Sequence, residues 1–109
     1  MKPVILYVTC ENEDQARHLG THLLEKRLVA CINILPAIQS LYWWNDAIQN
    51  DTETAFFAKT TEDNTSAAIA LIKALHNYDC PCIVSLPIEN GNPDFLKWIV
   101  EETAKKPAF

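Results

Sequence analysis

Apolar residues crowd this chain in short runs separated by polar punctuation, and the spacing inside each run predicts its element. Residues 3–9 (PVILYVT) are an apolar, β-branched run of strand length. A polar segment follows, in which Asn12 and Gln15 stand at capping distance and the acids suit a helix start. Ala16, Leu19, Gly20, Leu23, Leu24 and Arg27 then recur at helical spacing, which predicts a helix to about Lys26. Residues 29–42 (VACINILPAIQSLY) read as a strand with a bulge or bend at Pro36, because proline cannot donate to a ladder. Residues 43–47 carry turn chemistry and 52–60 return as a strand, making a long hairpin. Caps within Thr61–Asn64 open a helix through Ala68, Leu71, Ile72 and Leu75, which the segment 76–81 breaks. Residues 82–88 form a strand. Asn92 caps a last helix over 93–104, with Pro93 at its first position, and Lys105 to Phe109 is a short tail.

The resulting order is β-α-β-β-α-β plus one extra helix, an α+β ferredoxin-like (split βαβ) plan. Right-handed crossovers place its first two helices on one face of the sheet. The strands, however, are apolar at successive positions, as in Val4-Ile5-Leu6-Tyr7-Val8 and Cys82-Ile83-Val84-Ser85-Leu86. Neighbouring side chains of a strand point to opposite faces, so both faces are apolar and two helices cover only one. Five or six large apolar side chains left in water would cost on the order of 10 kcal/mol, comparable with a domain's whole stability. Association through the open face is the expected remedy.

Composition adds exclusions. The 109 residues predict a single domain, 1–109, of globular make-up, with 49% apolar and 21% charged residues. The net charge of −5 and the lack of any Lys/Arg run argue against nucleic acid, which needs a basic patch. No apolar stretch approaches the roughly 20 residues of a membrane helix, so membrane insertion is not expected. The first residues run straight into strand-like sequence with no signal-peptide pattern, and the cytoplasm is the expected compartment. The four cysteines, Cys10, Cys31, Cys80 and Cys82, are then expected as free thiols. Two glycines exclude a Gly-rich phosphate loop, and no Ser-His-Asp order or HExxH is present.

Five segments in order resemble the CutA divalent-cation tolerance family across roughly residues 4–100. They are Leu28-Val29-Ala30-Cys31-Ile32-Asn33, Ser40-Leu41-Tyr42-Trp43-Trp44, Glu53 with Lys59-Thr60-Thr61, His76-x-Tyr78-x-x-Pro81, and Asn92-x-x-Phe95-Leu96-x-Trp98-Ile99. The resemblance implies a ferredoxin-like fold and a homotrimer whose sheets pack around the threefold axis, an architecture akin to the PII signalling proteins. It also implies tolerance to divalent metal ions, copper in particular. Asp46 stands where the family usually has glycine at the hairpin tip, Asn77 where proline is usual, and Cys82 where glutamate is common.

Cys80-Pro81-Cys82 is the most metal-like feature, since residues i and i+2 of an extended chain face one side and two thiolates suit a soft ion such as Cu(I). His76 offers a nitrogen upstream, and Cys31 matches a family position. Cys31, His76 and Cys82 are therefore the candidate metal ligands, the competing reading being that each cysteine packs as a small hydrophobe. His18 and His22, four apart, have chelating spacing but lie opposite the apolar stripe, which reads as a solvated face with adventitious metal affinity, and neither matches a family motif position. Glu53 and Lys59 share a strand face, so they either pair across a subunit boundary or line a cleft. Tyr42, Trp44, Tyr78 and Trp98 would be the aromatic walls of that cleft, unless they are interface and core aromatics. The expected protein is a non-enzymatic homotrimer that requires no cofactor and binds copper or another divalent ion at clefts between subunits. Alternatives are a PII-like adaptor for a small ligand or an unknown protein partner, and an enzyme using Cys31 or Cys82 as nucleophile.

Overall fold

The computed structural model describes residues 1–107. Its elements are β1 (Pro3–Cys10), α1 (Glu13–Glu25), β2 (Cys31–Trp44), β3 (Ala47–Thr61), α2 (Glu62–Leu75), β4 (Ile83–Pro87) and α3 (Pro93–Ala104). The strands form one antiparallel sheet in the order β2-β3-β1-β4. This is the ferredoxin-like arrangement with an added C-terminal helix.

Local chemistry explains the helix starts. Asn12 Oδ1 accepts the Gln15 N–H at 2.9 Å and so caps α1. The Gln15 amide does not complete a reciprocal box; it reaches the carbonyl of Leu75 at 3.4 Å and ties α1 to the end of α2. Asn92 caps α3 through the Asp94 N–H, with Pro93 in the first turn. The apolar stripe of α1 is narrower than expected: Ala16, Leu19, Gly20 and Leu23 are buried, but Leu24 is 40% exposed. Arg27 lies beyond the helix at φ 58 and reaches Glu102 of α3 at 3.0 Å. At Gly20 an added Cβ would stand 3.2 Å from Ile32 of β2, so glycine permits the close approach of helix and sheet.

The hairpin is longer than its sequence suggests. Its turn consumes only Asn45 and Asp46, both at positive φ, the arrangement of a type I′ turn, so Trp43, Trp44 and residues 47–51 belong to the strands. Asp46 thus adopts the left-handed backbone that glycine would supply. The polar residues of 49–52 do not end the strand because this part of the ribbon stands clear of the core. The bulge expected at Pro36 is present as a register shift between Leu35 and Ile38, with Ala37 at φ 59. The tail starts at the C-cap Lys105, and Ala108 and Phe109 lie outside the described residues.

Two faces of the sheet differ sharply. Val4, Leu6, Val8 and Cys10 of β1 and Thr54, Phe56, Ala58 and Thr60 of β3 share one face by register and are all buried. Leu19 and Leu23 of α1 and Ile72 of α2 join the core against this face. The opposite face carries Ile5, Tyr7, Leu35, Phe57, Val84 and Leu86. Leu35, Val84 and Leu86 are 39%, 46% and 49% exposed there, so the apolar surface left by two helices is real. The third helix packs on β3 and β1, and its buried Ile99 lies outside the main core cluster. No helix of the described residues is long and apolar enough to cross a membrane.

Candidate functional site

A pocket of about 490 Å³ opens where the hairpin leaves the sheet. It is built from three segments. From β2 and β3 come Tyr42, Trp44, Asp51 and Glu53, which alternation places on the open face. From β1 comes Thr9. The loop between α2 and β4 supplies Asn77, Tyr78, Asp79, Cys80 and Cys82. The Thr9 N–H donates to the Cys82 carbonyl at 3.3 Å, which extends the β1–β4 ladder and sets both Cys80 and Cys82 on the pocket wall.

Glu53 is the centre of this arrangement. The Tyr78 hydroxyl donates to its carboxylate at 2.8 Å, and the neighbouring Tyr42 hydroxyl donates to Asp51. Burial first, then the bond to Glu53, hold the Tyr78 phenol well above its ordinary range. The bond to Asp51 raises that of Tyr42, with Glu53 adding to it. Burial, followed by the charges of Cys82 and Glu53, raises Tyr7. Behind the wall, burial and then Glu53 push the Cys10 thiol up to about 11. Glu53 adds to the rise at all four groups, though burial leads at three of them, and no lining residue is basic. Such a pocket favours positive charge.

The Cys10 shift carries a pH dependence. An unfolded chain releases this proton in the ordinary thiol range, whereas the folded chain holds it to about 11, so stability falls as pH rises through that window. Urea unfolding compared at about pH 8 and about pH 10 is expected to show a smaller loss in Cys10→Ala than in the unmodified chain. Equal losses would place the cause elsewhere.

Four of the six expected cleft residues, Tyr42, Trp44, Glu53 and Tyr78, line this pocket, and two do not. Lys59 shares the strand face of Glu53 but stands six residues away, roughly 20 Å at strand rise. Its ammonium donates to the Asn33 side chain instead of meeting a carboxylate. Trp98 is on α3, stacked on Phe95 with ring centres 5.5 Å apart.

The expected metal set is not brought together either. Cys31 lies on the edge strand β2 in the row Cys31–Lys59–Ile5–Leu86, while Cys82 precedes the other edge strand at its far end. Three strand spacings, about 14 Å, separate those edges. His76 is consumed structurally. Its Nε2 donates to the Thr9 carbonyl at 2.8 Å, and its Nδ1 accepts the Tyr78 N–H at 3.1 Å. Both ring nitrogens therefore hold the loop against β1 and aim Tyr78 at Glu53, leaving no lone pair for an ion. Among the described residues, no group of three or more His, Cys, Asp or Glu is placed to hold a metal.

Asp51 and Asp79 are the acids that sequence reasoning missed. Asp51 had a signal: it precedes Glu53 by two, so it faces the same side of β3. Asp79 had only its place beside Cys80.

Comparison with known proteins converges on one family. The model of the CutA1 divalent ion tolerance protein matches residues 4–102. The divalent-cation tolerance protein CutA of Thermus thermophilus is 40% identical over 103 residues, covering 94% of this chain and 99% of that protein. The protein CutA 1, chloroplastic, of Oryza sativa is 37% identical over 100 residues, 92% of this chain, but the chain spans only 56% of that relative's length. A crystal structure of the divalent ion tolerance protein CutA1 from Ehrlichia chaffeensis superposes with a TM-score of 0.90 at 40% identity, covering 96% of this chain and 99% of that one. The match takes in all four strands, both core helices and most of α3: the chain belongs to the CutA1 divalent ion tolerance protein family.

Proposed function

We propose that this protein is a non-enzymatic, homotrimeric divalent-cation tolerance protein that takes up copper or a related ion weakly at the pocket beside the hairpin. The observation that carries this reading is the meeting of two exposed thiols, Cys80 and Cys82, with Asp51, Glu53 and Asp79 in a pocket that has no basic lining residue. Thiolates suit Cu(I), and the carboxylates favour cations generally. One copy offers too few placed ligands for a tight site, so a neighbouring copy across the open face completes the coordination. The apolar open face supports the assembly, and the number three follows from the family resemblance. Free thiols at all four cysteines suit a reducing compartment, which makes the cytoplasm the proposed location.

Titration of the purified, tag-free protein with Cu(I), Cu(II) and Zn(II) tests the site. Cys80→Ser/Cys82→Ser is expected to weaken Cu(I) binding by at least about tenfold, since even outer partners of a metal site commonly matter that much. Copper affinity unchanged by that double substitution would remove the reading.

A second reading, a PII-like adaptor, draws on the pocket's size and its Tyr42 and Trp44 walls. About 490 Å³ falls within the range that holds small organic ligands. An ordered organic molecule in the pocket, or a protein partner retained by the unmodified chain and lost in Trp44→Ala, would favour it over the metal.

A further inference from the structure

The helix layer carries a second pair of metal-ligating side chains, neither of which lines the pocket. His18 and His22 are one turn apart on α1, His18 exposed and His22 half-buried, on the side of the helix away from Leu19 and Leu23. Their ring centres are 4.5 Å apart. Two imidazoles bound to one ion with metal–nitrogen bonds of about 2.0–2.1 Å have ring centres roughly 4.5–5.2 Å apart, from a right angle to a tetrahedral one. The rings meet edge to face at 63°, and turning the His18 ring about its side-chain torsions, with the helix unmoved, brings both onto one ion.

One ring is also preset. His22 Nδ1 lies 2.9 Å from the His18 carbonyl. A carbonyl oxygen only accepts, so in the neutral ring Nδ1 carries the proton and Nε2 keeps its lone pair. Metal-bound histidines characteristically donate their second ring N–H to a carboxylate or backbone carbonyl in this way, which fixes the tautomer and the ring plane before the ion arrives. Asp14, one turn earlier on the same stripe, is engaged by Arg17 at 3.4 Å and is not part of the set. The clamp therefore has two protein ligands, and water fills the remaining positions.

We infer that His18 and His22 form a two-histidine clamp on α1 for a borderline divalent transition-metal ion, Cu(II), Ni(II) or Zn(II), independent of the thiol pocket. Imidazole selects these ions, and hard Mg(II), which prefers oxygen ligands, has no hold there. The clamp sits on the helix layer, so assembly through the opposite, open face of the sheet leaves it in solvent. Binding bridges two turns of α1 and stabilises the folded chain by mass action, because the unfolded chain does not hold the rings together.

Histidine side-chain NMR of the full chain during Zn(II) addition tests the clamp. The ring signals of His18 and His22 are expected to move together while those of His76, whose nitrogens are both engaged, stay in place. His18→Ala, at an exposed position, and His22→Ala, at a half-buried one outside the core, are each expected to weaken this response by at least about tenfold with an unchanged far-UV spectrum. Cys80→Ser/Cys82→Ser is expected to leave it intact, and Mg(II) to produce none. Ring signals of His18 and His22 that stay fixed under Zn(II), or a Zn(II) response that survives His18→Ala at full affinity, would overturn the clamp. Neither result bears on copper uptake at Cys80 and Cys82, which is read separately from the thiol variants.

Discussion

Phe56→Ala is expected to destabilise the protein by about 3–5 kcal/mol, the range for emptying a buried aromatic site. Phe56 is fully buried on β3, an inner strand, paired with Ile34 of β2 on one side and Val8 of β1 on the other. It packs in the cluster that Leu19, Leu23 and Ile72 close from the helix side. These neighbours belong to four different elements held by backbone ladders and helix turns, so they cannot collapse into the space together. Native proteins hold only about 5–15 kcal/mol in total, so the substitution removes roughly a fifth of the reserve at the least. Urea unfolding at fixed protein concentration measures it as a lower midpoint with an unchanged slope. A loss under about 1 kcal/mol would mean that Phe56 is not the keystone its burial implies.

Leu86→Asp is expected to separate the assembled copies while leaving each copy folded. Leu86 sits near the C-terminal end of β4, paired with Ile5, and points to the open face. Beside it on the same face is Val84, paired with Tyr7, whose ring meets Phe57 at 5.4 Å. A carboxylate placed there must be desolvated when copies meet, at an effective cost of several kcal/mol for each unpaired charge. Every copy carries the substitution, so in the proposed assembly the charges also repel one another. In a lone copy the same carboxylate faces water and costs little, and the core on the other face is untouched. Ala67→Asp, on the exposed side of α2, is the control and is expected to leave the assembly intact. An assembly that survives Leu86→Asp would place the contact elsewhere.

The features legible in the sequence are those that local chemistry decides. Asn12, Asn92 and Pro93 announce helix starts because a cap depends on residues within one turn. Pro36 announces the bulge because a missing N–H interrupts any ladder. The hairpin's length was hidden, since Asn45-Asp46 turns the chain within a longer polar stretch that also resembles loop. Strand parity correctly put Glu53 and Lys59 on one face, yet parity says nothing about distance along the strand, and Lys59 falls at the other end. His76 illustrates a different limit. Its residue type permits a ligand, but its role depends on Thr9, which lies 67 positions away in sequence and meets it only after β1 and the α2–β4 loop come together. The thiols Cys80 and Cys82 were legible as a pair, whereas their neighbours Asp51 and Asp79 join them only through the register of the hairpin.

The proposed coordination at the pocket needs a neighbour, which requires the apolar open face to be covered by further copies of the chain. Sedimentation equilibrium of the unmodified, tag-free protein at micromolar concentration tests this most directly. The expected result is a single species of three times the 12.3 kDa chain mass. A well-behaved species of one chain mass would contradict it.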